Sequence, residues 1–310
     1  MRALTWLRLA ALSICVLVAP AAAAPPNVAA RVMQLDRRTT WTEVSATPVG
    51  FKTHHPQGMV RIGPDTFVSS VEILTYTKRY PTPQGGFDRD QGAGRGHLFR
   101  IGPDGALLGD LVLGEGAIYH PGGLDFDGEF LWVAVAEYRP NSASIIYRVD
   151  PRSLRAVEVL RVADHIGAVA YDRERQALIG VNWGGRAFYR WPMRRGWPVA
   201  GARAKPIANR ASYVDYQDCH FVGGRRMLCS GLASYPTPMA GFSFTLGGFE
   251  LVDVDDFRPT WQAPVSLWTK AGRAMTQNPF FVEATPRGLR ASFMPDDNRS
   301  TIFVYEAVLD

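Results

Sequence analysis

A unit of strand-like segments recurs five times along the chain, and this repeat constrains the fold more than any other feature. Each unit contains three apolar segments separated by Gly- or Asp-rich turns, and a fourth segment follows in four of the units at residues 106–114, 155–163, 202–210 and 262–271. Each unit begins with a polar residue, and these five opening residues are His55, His120, His165, Gln217 and Asn278. Four-stranded sheets that repeat every 45 to 65 residues or so are typical of β-propeller blades.

The fifth unit reaches the end of the chain without a fourth strand. Residues 41–49 form an apolar segment ahead of the first unit and are suited to supply it. Such an exchange closes the ring and covers both sheet edges. The sequence predicts an all-β, five-bladed β-propeller whose N-terminal strand completes the last blade, with no helix. A six-bladed ring is the alternative, but it lacks a sixth opening segment.

The first 24 residues have the pattern of a secretory signal peptide. Arg2 and Arg8 precede an apolar core, and small residues follow before Pro25. The core is too short for a membrane span, and no later run of 18 apolar residues exists, so stable membrane insertion is not expected. We therefore expect a periplasmic or secreted protein with one domain at residues 25–310.

Charge and cysteine content narrow the possible partners. The formal net charge is +5, and two of the positive charges belong to the signal peptide. The arginines are spread over many turns, so nucleic acid is not an expected partner. Cys219 and Cys229 lie on adjacent strands of one predicted hairpin, either as a disulfide or as two buried thiols.

Two insertions interrupt the repeat. Residues 77–95 and 234–245 are long, polar and rich in Gly or Pro, and both connect the second and third strands of a unit. They therefore fall on the same face of the ring. Loops of this length are either functional lids or disordered segments.

The spacing of polar residues is the same in the first three units. Glu72, Glu137 and Asn182 each lie 17 residues after the opening histidine, and the corresponding place in the fifth unit is next to Asp296. The first strand of a blade lines the central channel, and the second returns to the same face. We therefore expect the opening residues, with these partners behind them, around one channel mouth.

Several imidazoles and carboxylates at one opening suit a divalent metal ion. The predicted ligands are His55, His120, His165 and, deeper on the wall, His220. Glu72 and Glu137 are the predicted catalytic carboxylates. The predicted substrate-binding residues are Asn182, Gln217, Asn278, Asp296 and Arg139, the last as a clamp for an anionic group. The alternative is that these polar residues only line a wet channel. His54 and His97 are predicted to be surface or loop residues.

Residues 120–134 resemble blades of secreted bacterial propellers grouped with streptogramin lyases and gluconolactonase-type, senescence-marker-like proteins. The resemblance covers the blade framework and implies a propeller fold. It does not extend to the metal ligands, because the lactonase-like family uses acidic and amide side chains where this chain offers histidines.

Together these features predict an exported, metal-assisted hydrolase or lyase that acts on a small ester, lactone or sugar-like molecule at the channel mouth. The alternative is a propeller that binds a ligand or a protein without turnover.

Overall fold

The computed structural model describes residues 27–211, 213–239, 241 and 243–309. The predicted signal peptide lies outside this part of the chain. None of the helices in the described ranges has the length and apolar character needed to span a bilayer.

The chain forms a series of antiparallel meanders that follow the repeat, which we number as sheets I to V. Sheet I contains β2 (His55–Ile62), β3 (Asp65–Thr75), β6 (Ala93–Ile101) and β7 (Leu107–Leu113). Sheet II contains β8 (Ile118–Phe126), β9 (Leu131–Glu137), β10 (Ser144–Asp150) and β11 (Arg155–Val162). Sheet III contains β12 (Ile166–Asp172), β13 (Ala177–Asn182), β14 (Ala187–Arg194) and the short β15 (Trp197–Pro198) and β16 (Ile207–Ala208). Sheet IV contains β17 (Asp215–Gly223), β18 (Arg226–Pro236), β19 (Ser243–Asp253) and β20 (Pro259–Pro264).

Sheet V is completed from the other end of the chain. It contains β21 (Phe280–Thr285), β22 (Gly288–Phe293) and β23 (Thr301–Val308), and β1 (Trp41–Pro48) pairs antiparallel with β23. The predicted strand exchange is confirmed by this pairing. A single parallel bridge between Gly123 and Ala168 also joins sheets II and III.

The fold differs from the prediction in its details. A short helix, α1 (Val28–Val32), lies in the leader, where the Asn27 side chain caps it by accepting from the Ala30 amide. Three-residue 3₁₀ turns occur at Trp183–Gly185 and Met275–Gln277. The strand predicted at residues 202–210 is reduced to β16, and the one predicted at 262–271 ends at Pro264.

The two insertions are more ordered than predicted. The first contains its own hairpin, β4 (Arg79–Gln84) and β5 (Phe87–Arg89). In the second, β18 and β19 extend beyond the sheet and remain paired as far as Pro236 and Ser243. Both insertions are therefore mainly hairpins rather than irregular loops.

Apolar side chains fill the space between neighbouring sheets. Phe67 of sheet I packs in one cluster with Leu131 and Val133 of sheet II. Phe188 of sheet III lies in another with Phe221 and Val252 of sheet IV. The alternation of apolar residues along each strand produces these contacts, because every second side chain faces the adjacent sheet.

A polar cluster joins the first strands of the sheets at the centre of the molecule. We call Asp125, Asp218 and His220 the axial cluster. The Asp218 carboxylate accepts from the amides of Met59 at 2.9 Å and Leu124 at 3.1 Å, which belong to sheets I and II. Fully buried carboxylates are costly unless they are hydrogen-bonded, and these contacts meet that need.

The other two members of the axial cluster reach the remaining sheets. Asp125 accepts from the amides of Tyr171 at 2.8 Å and Phe221 at 3.1 Å. His220 donates to the carbonyl of Phe280 in sheet V at 2.9 Å. Side chains of sheets II and IV thus hold backbone groups of all five sheets together.

Cys219 and Cys229 are bonded to each other in sheet IV. They are directly opposed in the register of β17 and β18. The sequence left open whether the two cysteines form a disulfide or remain buried thiols, and the structure has the disulfide.

Candidate functional site

The five opening residues of the repeat line one cavity. His55, His120, His165, Gln217 and Asn278 surround a space of about 430 Å³. They meet there because the first strands of the five sheets all begin at the same face. Further lining comes from Gln57, Tyr138, Gly167, Trp183, Asp215, Tyr216 and Gln277, among others.

The three histidines form one side of this cavity. The ring centroids of His55 and His120 lie 6.5 Å apart, and those of His120 and His165 lie 6.1 Å apart. Tyr138 stacks on His120 at 4.3 Å, and Trp183 meets His165 edge to face at 4.7 Å. The imidazoles of His120 and His165 are therefore each packed against an aromatic side chain.

Two of the three imidazoles are oriented by hydrogen bonds on one nitrogen. His55 Nδ1 lies 2.8 Å from the Asp297 carboxylate, and His165 Nδ1 lies 2.7 Å from the Glu137 carbonyl. A carbonyl oxygen only accepts, so His165 carries its proton on Nδ1, and its Nε2 has a free lone pair. The Asp297 contact favours the same tautomer of His55. Acceptors in this position are typical of metal-binding and catalytic histidines.

Of the three imidazoles, that of His120 has the fewest hydrogen-bond partners. Both of its ring nitrogens are buried and have no hydrogen-bond partner among the described residues. Burial, and then repulsion by the imidazoles of His165 and His55, lowers the pKa of His120 well below its usual value. Burial likewise lowers the pKa of His165 to about 4. Both side chains are neutral at physiological pH, the state in which imidazole binds a metal ion.

Four amide side chains also line the cavity: Gln57, Gln217, Gln277 and Asn278. The Asn278 amide donates to the Pro295 carbonyl and to Asp297, each at 3.1 Å. Burial by itself would raise the pKa of Asp297, but the hydrogen bonds from His55 and Asn278 keep that pKa low. His55, Asp297 and Asn278 therefore form one connected network at the edge of the cavity.

The two predicted catalytic carboxylates are engaged elsewhere. Glu137 is bonded to Arg139 at 2.6 Å, and it contributes only its backbone carbonyl to the site. Arg139 is buried, and it packs over the Phe87 ring at 3.6 Å, so it is not free to clamp an anion. Glu72 pairs with Arg95 at 3.2 Å. None of the three residues that lie 17 positions after the opening histidines lines the cavity.

Asn182 and Asp296 also differ from their predicted roles. The Asn182 amide bridges Asp164 and the Ala187 backbone, and in this way it holds the turn after β13. The Asp296 carboxylate faces Arg273 at 3.9 Å. The acidic partner of the cavity is the next residue, Asp297.

His220 belongs to the axial cluster rather than to the cavity wall. Its nitrogens face the carboxylates of Asp125 at 3.5 Å and Asp218 at 3.4 Å, and one donates to the Phe280 carbonyl. Burial alone would lower the pKa of His220, but Asp218 and Asp125 raise it to about 10. A protonated imidazole has no lone pair for a metal ion, so the predicted ligand role is replaced by a structural one.

A second group of potential ligands lies in sheet I. The ligand atoms of His54, Glu72 and His97 all lie within 4.8 Å of one another, so this group has the spacing to hold a metal ion. His97 is a strand residue with only 5% of its surface exposed, and His54 is partly buried. The prediction that these are surface or loop residues holds for His54, which lies in the loop before β2, and was wrong for His97, because it counted only residues that repeat between units.

The most useful residue that the sequence reasoning missed is Asp297. It lies one position beyond the predicted Asp296, where the chain leaves β22 and the count of 17 no longer holds. Gln57, Tyr216 and Gln277 also line the cavity without belonging to the repeated positions. Gln57 lies two residues after His55, where a β-bulge between Pro56 and Gly58 interrupts the regular alternation of the strand, so its place in the cavity could not be read from the repeat.

These observations define the class of protein: an all-β, propeller-like chain with a polar cavity where its sheets meet. The chain belongs to the family of unknown function DUF6454, whose sequence profile matches residues 13–310. Comparison with curated protein sequences finds no match.

Solved structures with a similar fold are β-propellers. The glutaminyl cyclase of Myxococcus xanthus is 13% identical with a TM-score of 0.50, and the match covers 86% of this chain and 97% of that one. A luciferin-regenerating enzyme is 8% identical with a TM-score of 0.47, covering 87% and 98%. The PQQ-bound aldose sugar dehydrogenase of Streptomyces coelicolor is 12% identical with a TM-score of 0.39, covering 92% and 100%. At these identities the likeness concerns the fold alone.

Proposed function

We propose that this chain is an exported, five-bladed propeller enzyme that uses a divalent metal ion in its central cavity to hydrolyse or cleave a small, uncharged, sugar-like ester or lactone. Each of sheets I to V would be one blade. The Cys219–Cys229 bond supports export, because disulfides persist in oxidising compartments.

One observation carries the metal proposal: three imidazoles from equivalent positions in successive sheets face the same cavity. His120 is buried with both nitrogens unbonded within the described structure, a costly state that a metal ion would relieve. His55 and His165 are already oriented through Nδ1, which leaves Nε2 for coordination. The donor set suits Zn²⁺ or a neighbouring transition metal.

The distances between the three imidazole rings indicate how far they must move to bind one metal ion. With metal–nitrogen bonds of about 2.1 Å, the rings of a closed tetrahedral site lie roughly 5 Å apart. The observed centroid distances of 6.5 and 6.1 Å are wider, so the rings must turn inward to share one ion. A bound ion would supply an activated water or polarise a carbonyl.

The remaining wall indicates the class of substrate. The amides of Gln57 and Gln217 offer donors and acceptors, and the Asn278 amide offers its oxygen as an acceptor. The one carboxylate of the wall, Asp215, is paired with Arg186, and Tyr138 and Trp183 provide aromatic faces. Amides combined with aromatic platforms fix a small polyhydroxylated or carbonyl-containing molecule by hydrogen bonds and stacking. We assign substrate orientation to Gln217 and Asn278.

Metal titration and a substrate panel test the proposal together. The background is the His97→Phe variant, which removes the second group of ligands. We expect this chelator-treated variant to bind one equivalent of Zn²⁺ by calorimetry, and the His97→Phe/His120→Ala variant to bind none. The metal-loaded native protein should turn over at least one small ester or lactone, with a loss of more than about 100-fold in His120→Ala. Zinc binding that persists in the His97→Phe/His120→Ala variant would contradict the proposed centre.

A binding module without turnover is the second candidate. The second insertion exposes the apolar side chains of Tyr235, Met239 and Phe244, and Leu74 and Tyr76 are exposed where the chain enters the first insertion. Exposed apolar side chains on such hairpins are suited to ligand or protein contacts. Zinc binding at the ring without turnover of any ester, lactone or lyase substrate would favour this candidate.

A further inference from the structure

We infer that His54, Glu72 and His97 form a second metal site, a structural Zn²⁺ site on sheet I that is separate from the cavity and does not depend on the proposed function. The three side chains come from the segment before β2, from β3 and from β6. A metal ion there would join the loop before β2 to the neighbouring strands β3 and β6.

His97 is the residue that points to a ligand. Its Nδ1 lies 2.9 Å from the carboxylate of Asp110 on β7. This contact favours the proton on Nδ1 and leaves a lone pair on Nε2. Nε2 is buried without a hydrogen-bond partner in the described ranges, and Glu72 is the carboxylate that it faces, at 4.0 Å. A carboxylate, a histidine and an open coordination position in series are typical of zinc sites.

The other two ligands need small movements. A Glu72 oxygen lies 3.8 Å from His54 Nδ1, whereas ligand atoms of a tetrahedral zinc ion are roughly 3.4 Å apart. The His54 ring now stacks flat against His97 at 5.2 Å and must turn to direct its nitrogen at the ion. Arg95, which is half exposed, must release Glu72. Two imidazoles, one carboxylate and a water then complete a zinc shell.

A metal ion in this second site would also affect the cavity, because the site lies next to His55. His54 immediately precedes His55, and its backbone has a positive φ of 58°, which L-residues seldom adopt. The His54 carbonyl accepts from the Asn298 amide at 2.6 Å, beside the Asp297 that orients His55. A metal ion on the His54 side chain would fix the segment that delivers His55.

Calorimetry in the His120→Ala background isolates this site from the cavity. We expect chelator-treated His120→Ala to bind one equivalent of Zn²⁺, and His120→Ala/Glu72→Gln to bind at least tenfold more weakly. Asp110→Asn should weaken binding about 10- to 100-fold, because it removes the partner that orients His97. Glu129→Gln, on an exposed turn of sheet II, is the matched control and should change nothing.

The outcomes separate this inference from the proposed function. Zinc binding in His120→Ala that is unaffected by both Glu72→Gln and His97→Phe would overturn the second site, as would the absence of zinc binding in that background. Either result leaves the cavity proposal to its own test in the His97→Phe background. Thermal unfolding of each apo variant confirms that it is folded.

Discussion

Replacing Asp218 with alanine is expected to lower the free energy of unfolding by about 3–5 kcal/mol, the usual cost of removing one partner from a buried ion pair. Asp218 is fully buried, and its carboxylate accepts from the backbone amides of Met59, Leu124 and Cys219. The substitution leaves these donors without an acceptor and leaves the His220 cation with only one carboxylate. Chemical denaturation of the two proteins measures the difference.

Two further variants test whether the loss of stability is specific to the Asp218 carboxylate. Asp256→Ala removes an exposed aspartate from the same sheet and should change stability by no more than roughly 0.5 kcal/mol. Asp218→Asn keeps the size of the side chain but loses its charge and one acceptor, so its stability should lie between the other two. A loss in Asp218→Ala no larger than that in Asp256→Ala would show that the axial cluster does not hold the sheets together.

The second large effect is a loss of stability at alkaline pH that depends on His220. Its pKa in the folded protein is raised to about 10, against 6.5 for a free histidine. The folded state therefore retains a proton that the unfolded chain releases, and this stabilisation is complete below pH 6.5. It decreases as the pH rises above that value and disappears once the pH passes 10.

The His220→Gln variant isolates this contribution. Glutamine can still donate to the Phe280 carbonyl, but it carries no charge that could titrate. We expect the free energy of unfolding of the native protein to decline steeply between pH 7 and 10, and that of the variant to decline less. Parallel curves for the two proteins would mean that His220 is not held as a cation in the folded state.

The repeat made the overall architecture and the ring of opening residues accessible from the sequence. Side chains at the same point of successive strands must converge when the strands start at one face. The equal spacing predicted that His55, His120 and His165 meet, and the missing fourth strand of the last unit predicted that β1 pairs with β23. Both predictions depend only on the period and direction of the strands, which the sequence carries.

The interactions of the neighbouring side chains could not be predicted from the repeat in the same way. The Glu137 side chain turns toward Arg139 instead of toward the cavity, and Arg139 packs on the Phe87 ring of the β4–β5 hairpin. The spacing of residues along the chain does not determine either side-chain orientation. His220 occupies the place of a small residue in other units, and the prediction that it lies deeper on the cavity wall as a metal ligand missed both its place in the axial cluster and its charge state. That charge comes from Asp125, which is 95 residues away along the chain, and from Asp218.

Anomalous diffraction from crystals of the native protein grown with Zn²⁺ tests the central claim most directly. Data on both sides of the zinc absorption edge locate the ion without reference to any variant. We expect one peak among His55, His120 and His165, at about 2.1 Å from their Nε2 atoms, and a second peak at His54, Glu72 and His97. Zinc-soaked crystals with an empty cavity and unchanged ring histidines would contradict the assignment of the cavity as a metal centre.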